Sequence, residues 1–173
     1  DTRAAAREQA ASLGAKIIDI DIPDEMAQGE GGYAKALSHE MLKKERDMIA
    51  PHLEKMDIVF LSALVPGKMA PVIITRDMMK KMKPGSVIVD ISIDQGGNCE
   101  ATVPGEVADE GMVHVVGIKN IPGMLPASST WMFSQNMYNL VRYLVKDNAI
   151  SLDMSDEIVR GILTTKGGEI VHE

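Results

Sequence analysis

The chain has 173 residues, 45% of them hydrophobic and 25% charged, with a formal net charge of -7. That length supports one domain with a proper core, and the composition is ordinary for a globular protein. An acidic balance with no Lys/Arg stripe excludes nucleic acid as a partner class, the single Cys99 excludes an internal disulfide framework, and no apolar run approaches the ~20 residues that span a bilayer.

The chain opens at Asp1-Thr2-Arg3, without an initiator Met or a signal-peptide pattern. The expectation is that a segment precedes it. Residues 4–13, "AAAREQAASL", are strong helix formers, and Gly14 is placed as the stop. "KIIDIDI" (16–22) is β-branched and alternating, so it reads as a strand. An acidic, glycine-bearing loop follows from Pro23 to Gly32. Tyr33 to about Ile49 reads as a helix with apolar positions at Leu37, Met41, Leu42, Met48 and Ile49, and Pro51 either kinks it or opens a second short helix.

"DIVFLSA" (57–63) is a nearly continuous apolar strand, as in a parallel sheet covered on both faces. Thr75 caps a helix over "RDMMKKM", and Pro84-Gly85 turns the chain into a strand over 86–91. Another strand runs from Val113 to Gly117. Ser128, Ser129 or Thr130 caps a long helix reaching about Lys146. The tail reads as two short strands, "ISLDM" and "IVRGILTT", then a Lys-Gly-Gly turn and "EIV".

Strands alternating with helices predict βαβ units in a Rossmann-like, doubly wound parallel α/β sheet, with a C-terminal β-hairpin tail. The expected division is a partial nucleotide-binding domain over 1–147 and an extension over 148–173. Ligands of such sheets bind at the carboxyl ends of the strands, which selects the loops 62–71, 92–102 and 117–126. If those loops carry a site, Leu64, Asp94 and Asn120 share one side of the molecule.

Each candidate residue has a plain alternative. Asp1 is an acid where a dinucleotide fold grips a ribose hydroxyl, or an exposed terminal residue or helix N-cap. Gly31-Gly32-Tyr33 is a closing loop or a flexible helix entry. Ala63 and Leu64 sandwich a flat ring or simply pack. Asp94-Gln95-Gly96-Gly97 places an acid in the crevice, with glycines that let another molecule approach the main chain, or it forms a structural turn. Asp90 lies inside its strand and is the less promising acid. Cys99 reads as a small buried hydrophobe, Met78, Met79 and Met82 as core, and the four histidines form no metal set. The strand-end loops carry no histidine to accept a proton. Hydride exchange between two nicotinamide rings needs none at the reacting carbons, so positioning alone serves.

"GGYAK", "SALVPGKMAPVIIT", "MKPGSVIVDI", "GGNCEAT", "PGEV" and "NIPGMLPASS" follow in order. Together they closely resemble the NAD-binding domain shared by alanine dehydrogenases and the alpha subunits of proton-translocating NAD(P) transhydrogenases, across essentially the whole chain. The tail and the "GGNCE" loop look more like the transhydrogenase branch. The resemblance implies that Asp1, with Thr2 and Arg3, holds the adenosine ribose of NAD(H), and that Gly32 and Tyr33 sit on a loop that closes over it. It implies strand-end contacts from Ala63 and Leu64, and a nicotinamide-side lining from Ile91, Ser92, Ile93, Asp94 and Gln95 and from Ile118, Lys119, Asn120 and Ile121. A catalytic role for Asp94 belongs to the alanine dehydrogenase branch, and no metal is implied.

The resemblance also implies that the first strand, its glycine-rich phosphate loop and an N-terminal domain stand before Asp1. Their absence predicts weak NADH binding and no turnover for this stretch alone. Implied partners are that missing portion of the subunit, NADP(H)-carrying and membrane subunits, and a second copy in a homodimer. The implied location is the inner face of the bacterial inner membrane or the mitochondrial matrix side. An alanine-dehydrogenase-like enzyme and a non-catalytic nucleotide-binding fragment remain as alternatives.

Overall fold

The computed structural model describes residues 1–18, 20, 23, 36–65 and 67–172. The chain divides into two compact units, Asp1–Ile121 and Pro122–Glu173. The boundary expected after residue 147 falls inside the second.

In the first unit, helix α1 spans Ala4–Ser12, and Gly14 ends it at φ +88°. The strand expected over 16–22 is not formed at residues 16–18 or 20, while residues 19, 21 and 22 lie outside the described residues. A strand exists only through its ladder. Here Ile20 instead packs with Ile18, Leu37, Met41 and Met48. Most of the acidic loop, with Gly31, Gly32 and Tyr33, lies outside the described residues. Helix α2 spans His39–Leu53, starting later than expected because Ser38 is its cap and accepts from the Met41 amide at 3.3 Å. Pro51 lies within its last turn rather than interrupting it.

Strands β1 (Ile58–Leu61) and β2 (Val87–Asp90) fall inside the expected runs. Between them lies α3 (Arg76–Met79), capped as anticipated by Thr75, which accepts from the Met78 amide. Strand β3 (Val107–Glu110), which the sequence reading missed, forms a tight hairpin with β4 (Val113–Val116) through Gly111 at φ +64°. The sheet order is β1-β2-β4-β3, with β1, β2 and β4 parallel and β3 antiparallel to β4. The expected parallel sheet is present in β1, β2 and β4, and β3 adds an antiparallel edge.

The main core covers one face of the sheet. Leu61, Ile88, Val113 and Val115 pack against Leu53 of α2, Met78 and Met79 of α3, and Met82. On the other face Ile58 and Phe60 are 69% and 62% exposed, so the apolar run of β1 is not buried on both sides.

Helix α4 (Ile121–Met124) covers the division point. In the second unit, α5 spans Pro126–Leu144. Ser128, Ser129 and Thr130, expected as caps, lie within it, because Pro126 takes the first helical turn, where its fixed φ fits. Asp147 and Asn148, at φ 51° and 61°, turn a hairpin between β5 (Val145–Lys146) and β6 (Ala149–Ile150). Of the run "IVRGILTT" only the last residue, Thr165, enters a strand. The first portion of the run forms α6 (Glu157–Ile162), whose start is fixed by Asp156 accepting from the amides of Ile158 and Val159 at 2.9 and 3.1 Å. The expected glycine turn is present, Gly167-Gly168 joining β7 (Thr165–Lys166) to β8 (Glu169–Ile170).

Candidate functional site

Because β1, β2 and β4 run parallel, their carboxyl ends open on one rim, and three loops leave from it. Main-chain and side-chain bonds join these loops. The Ala70 amide donates to the Gln95 carbonyl at 2.7 Å, linking the loop after β1 to the loop after β2. The Asn120 amide donates to Asp94 Oδ2 at 3.3 Å, linking the loop after β2 to the loop after β4. Leu64, Asp94 and Asn120 therefore belong to one rim.

The foundation of the middle loop is Asp90. Its side chain is 1% exposed at the end of β2. Oδ1 accepts from the Ser92 amide at 3.1 Å, and Oδ2 accepts from the amides of Asn98 and Cys99 at 2.7 and 3.0 Å and from the Thr102 hydroxyl at 2.8 Å. A buried carboxylate is tolerated only when its oxygens are so satisfied. Gly97, at φ +86°, is where this packing requires glycine: a Cβ there would lie 2.8 Å from Asp90 Oδ2. The close approach anticipated at the glycine pair is thus, at Gly97, made by the chain's own acid.

From this base a single 3-10 turn, Ile93–Gln95, lifts Asp94 and Gln95 into solvent. Ile93 is 4% and Ser92 1% exposed, so their side chains face inward. The Ser92 hydroxyl donates to the Ala63 carbonyl at 3.4 Å. Ile91, Ala63, Ile118 and Ile121 are half-buried, and Leu64, Lys119 and Asn120 are exposed.

A cavity of about 690 Å³ adjoins this rim, within the size range of small-molecule sites. Consecutive residues from Val59 to Val65 line it, so it follows β1, an edge strand among the described residues, into the loop after it. Asp1, Thr2 and Arg3 form another stretch of the wall, Leu37, Leu42 and Ile49 supply apolar surface, and Gln95 marks its junction with the middle loop. The Asp1 carboxylate is gripped in fork fashion by Arg3, with Nε to Oδ1 at 3.0 Å and Nη2 to Oδ2 at 2.8 Å. Glu45 also lines the cavity at 7% exposure, and burial pushes its carboxyl above the ordinary value of 4.5. Among the described residues no cluster could hold a metal ion, and no helix is long and apolar enough to cross a membrane.

The structure thus brings Asp1, Thr2, Arg3, Ala63, Leu64 and Gln95 to one cavity, and Asp94 and Asn120 to the adjoining rim. Gly32 and Tyr33 lie outside the described residues. Asp90 and Asn98 were missed as organisers. The available signal was an acid inside an apolar strand, which must find donors when buried.

The sequence profile of the family described as "Alanine dehydrogenase/PNT, C-terminal domain" matches residues 1–173. The chain belongs to that family. Within the alanine dehydrogenase/PNT family it is 39% identical over 172 residues to the NAD(P) transhydrogenase subunit alpha of Haemophilus influenzae, covering 98% of this chain and 33% of that protein. It is 32% identical to alanine dehydrogenase 1 of Staphylococcus aureus, covering 95% of this chain and 47% of that one. The solved transhydrogenase structure from Sinorhizobium meliloti superposes with a TM-score of 0.72 at 38% identity, over 97% of this chain and 43% of that one. The chain therefore spans less than half the length of these relatives, and its fold is that of the family.

Proposed function

We propose that this chain forms the NAD(H)-binding portion of an NAD(P) transhydrogenase alpha subunit, in which hydride passes between NADH and NADP held on a partner subunit. The observation that carries the reading is the joining of three strand-end loops into one rim beside an apolar cavity with Asp1 at its wall. The greater likeness to transhydrogenase alpha subunits than to the alanine dehydrogenase supports it.

The residues present fit the cofactor. Apolar side chains of α2 and β1 suit a flat ring, and a carboxylate at the wall suits ribose hydroxyls. When bound, the nicotinamide ring supplies the hydride. In this reading Asp1 holds the ribose, Arg3 orients Asp1, and the Ala63–Leu64 segment excludes water from one side. The rim residues Ile91 to Gln95 and Ile118 to Ile121 fix the position of the reacting ring, largely by main chain. No proton need be held at the reacting carbons, so position is the main contribution of these residues. The partners are the remainder of the subunit, NADP-binding and membrane subunits and a second copy, at the inner face of the membrane.

A second reading, an NAD-dependent alanine dehydrogenase, is favoured by one observation: Asp94 is exposed on the rim turn, where it can serve as acid or base. The test uses the intact polypeptide that carries this chain. Reduction of an NADP analogue by NADH, with its partner subunits present, is compared with NADH-dependent amination of pyruvate. The transhydrogenase reading expects the first activity only, with Asp94→Asn lowering it less than about threefold. Amination that falls roughly a hundredfold or more in Asp94→Asn would instead establish the second.

A further inference from the structure

The loop over 62–71 leaves the sheet after β1 and returns before α3, and one carboxamide holds both of its ends. Asn98 is fully buried at 0% exposure. Its Oδ1 accepts from the Ala63 amide at 2.8 Å, and its Nδ2 donates to the Ala63 carbonyl at 2.9 Å and to the Pro71 carbonyl at 2.8 Å. Its main chain is equally committed. The Asn98 amide donates to Asp90 Oδ2 at 2.7 Å, and its carbonyl accepts from the amides of Ile73 and Ile74 at 2.7 and 3.0 Å.

We propose that Asn98 is a positioning residue for the cavity. It sets the Ala63–Leu64 wall against the Asp94–Gln95 rim without itself touching the ligand. The inference rests on reading the cavity as the nucleotide site, and it adds a residue that the resemblance did not mark. The chemistry selects asparagine. The position needs one acceptor for an amide and two donors for two carbonyls, all on a short planar group. Aspartate keeps the shape and the acceptor, but turns a second oxygen toward two carbonyl oxygens. Alanine leaves an amide and two carbonyls in a buried place without their partner. Asp90 acts one step behind, fixing the main chain from which the carboxamide projects.

Asn98→Ala, Asn98→Asp and the core variant Val115→Ala are compared in the intact polypeptide. Val115 is fully buried in β4 and does not line the cavity, so its truncation lowers stability without reaching the loops. NADH affinity is read by fluorescence titration, amide hydrogen exchange at Ala63, Leu64 and Ala70 is read without nucleotide, and thermal midpoints are recorded for all. The expected result is NADH binding weakened about tenfold or more in both Asn98 variants. Exchange at Ala63 and Ala70 rises by roughly the same factor. Val115→Ala, with a comparable loss in midpoint, leaves both within about twofold of the parent. If Asn98→Ala does not fold, the isosteric Asn98→Asp carries the comparison. Unchanged exchange at Ala63, or NADH affinity within about twofold of a binding parent, overturns the proposal. A parent that binds no NADH would remove the nucleotide reading, and the exchange measurement would still decide whether Asn98 fixes the loop.

Discussion

Asp90 and Asp94 stand on the same turn of chain and have opposite surroundings. Asp90, at the root of the loop, is 1% exposed and receives four donors. Asp94, on the crest, is exposed and receives the Asn120 amide at a long 3.3 Å. The root is organised so that the crest need not be. A carboxylate that gathers main-chain amides makes a rigid foundation, and the rim above it keeps polar groups in solvent, where a ligand can reach them. Glu45 is a third case, an acid at the cavity wall whose carboxyl is raised by burial.

The strongest way to break this comparison is Asp90→Ala. It leaves the amides of Asn98 and Cys99 and the Thr102 hydroxyl without their acceptor. Denaturant unfolding is expected to show a loss of about 3 kcal/mol or more. A loss near that of a surface change would mean the root is not organised around Asp90.

Gly97→Ala tests the same root from its other side. A side chain at φ +86° is strained, and its Cβ would press on the Asp90 carboxylate. The expected cost is about 1–3 kcal/mol, read from the unfolding midpoint.

Glu45→Gln tests the acid whose carboxyl is raised chiefly by burial. An acid whose folded pKa is raised above its unfolded value keeps its proton in the fold over the interval between the two. Its contribution to stability therefore falls as pH rises through that window, above about 4.5. The variant is expected to gain in midpoint relative to the parent at about pH 7, and to match it below about pH 4. A difference independent of pH would contradict the assignment.

The smallest effect belongs to the crest. Asp94→Asn is expected to alter unfolding free energy by no more than about 0.5 kcal/mol, since the residue is exposed and its bond from the Asn120 amide is long. A loss as large as that of Asp90→Ala would erase the distinction between root and crest.

Much of the fold was legible. The apolar runs at 58–61, 87–90 and 113–116 marked β1, β2 and β4, and the strand-end rule selected the loops that share a rim. Strand β3 was not legible, because "VADE" carries no apolar alternation and becomes a strand only by pairing with β4. Helix α6 was hidden by its β-branched residues, and the Asp156 cap decided its form. At the site, Asp94 and Gln95 were readable as rim residues from their position just past the end of a strand. Asn98 was not, because its partners Ala63 and Pro71 lie 35 and 27 residues away.

The amino-acid sequence by itself determined the βαβ alternation and the loops at the strand ends, because hydrophobic period and turn residues act within a few positions of one another, while the family resemblance rests on ordered motifs along the whole chain. The tertiary structure alone decided which donors converge on the buried Asp90. It also decided which side chain closes the 62–71 loop and which strand runs antiparallel. Those outcomes depend on donors and acceptors converging from distant stretches of the chain, and a buried polar group takes its role from the partners that packing delivers to it.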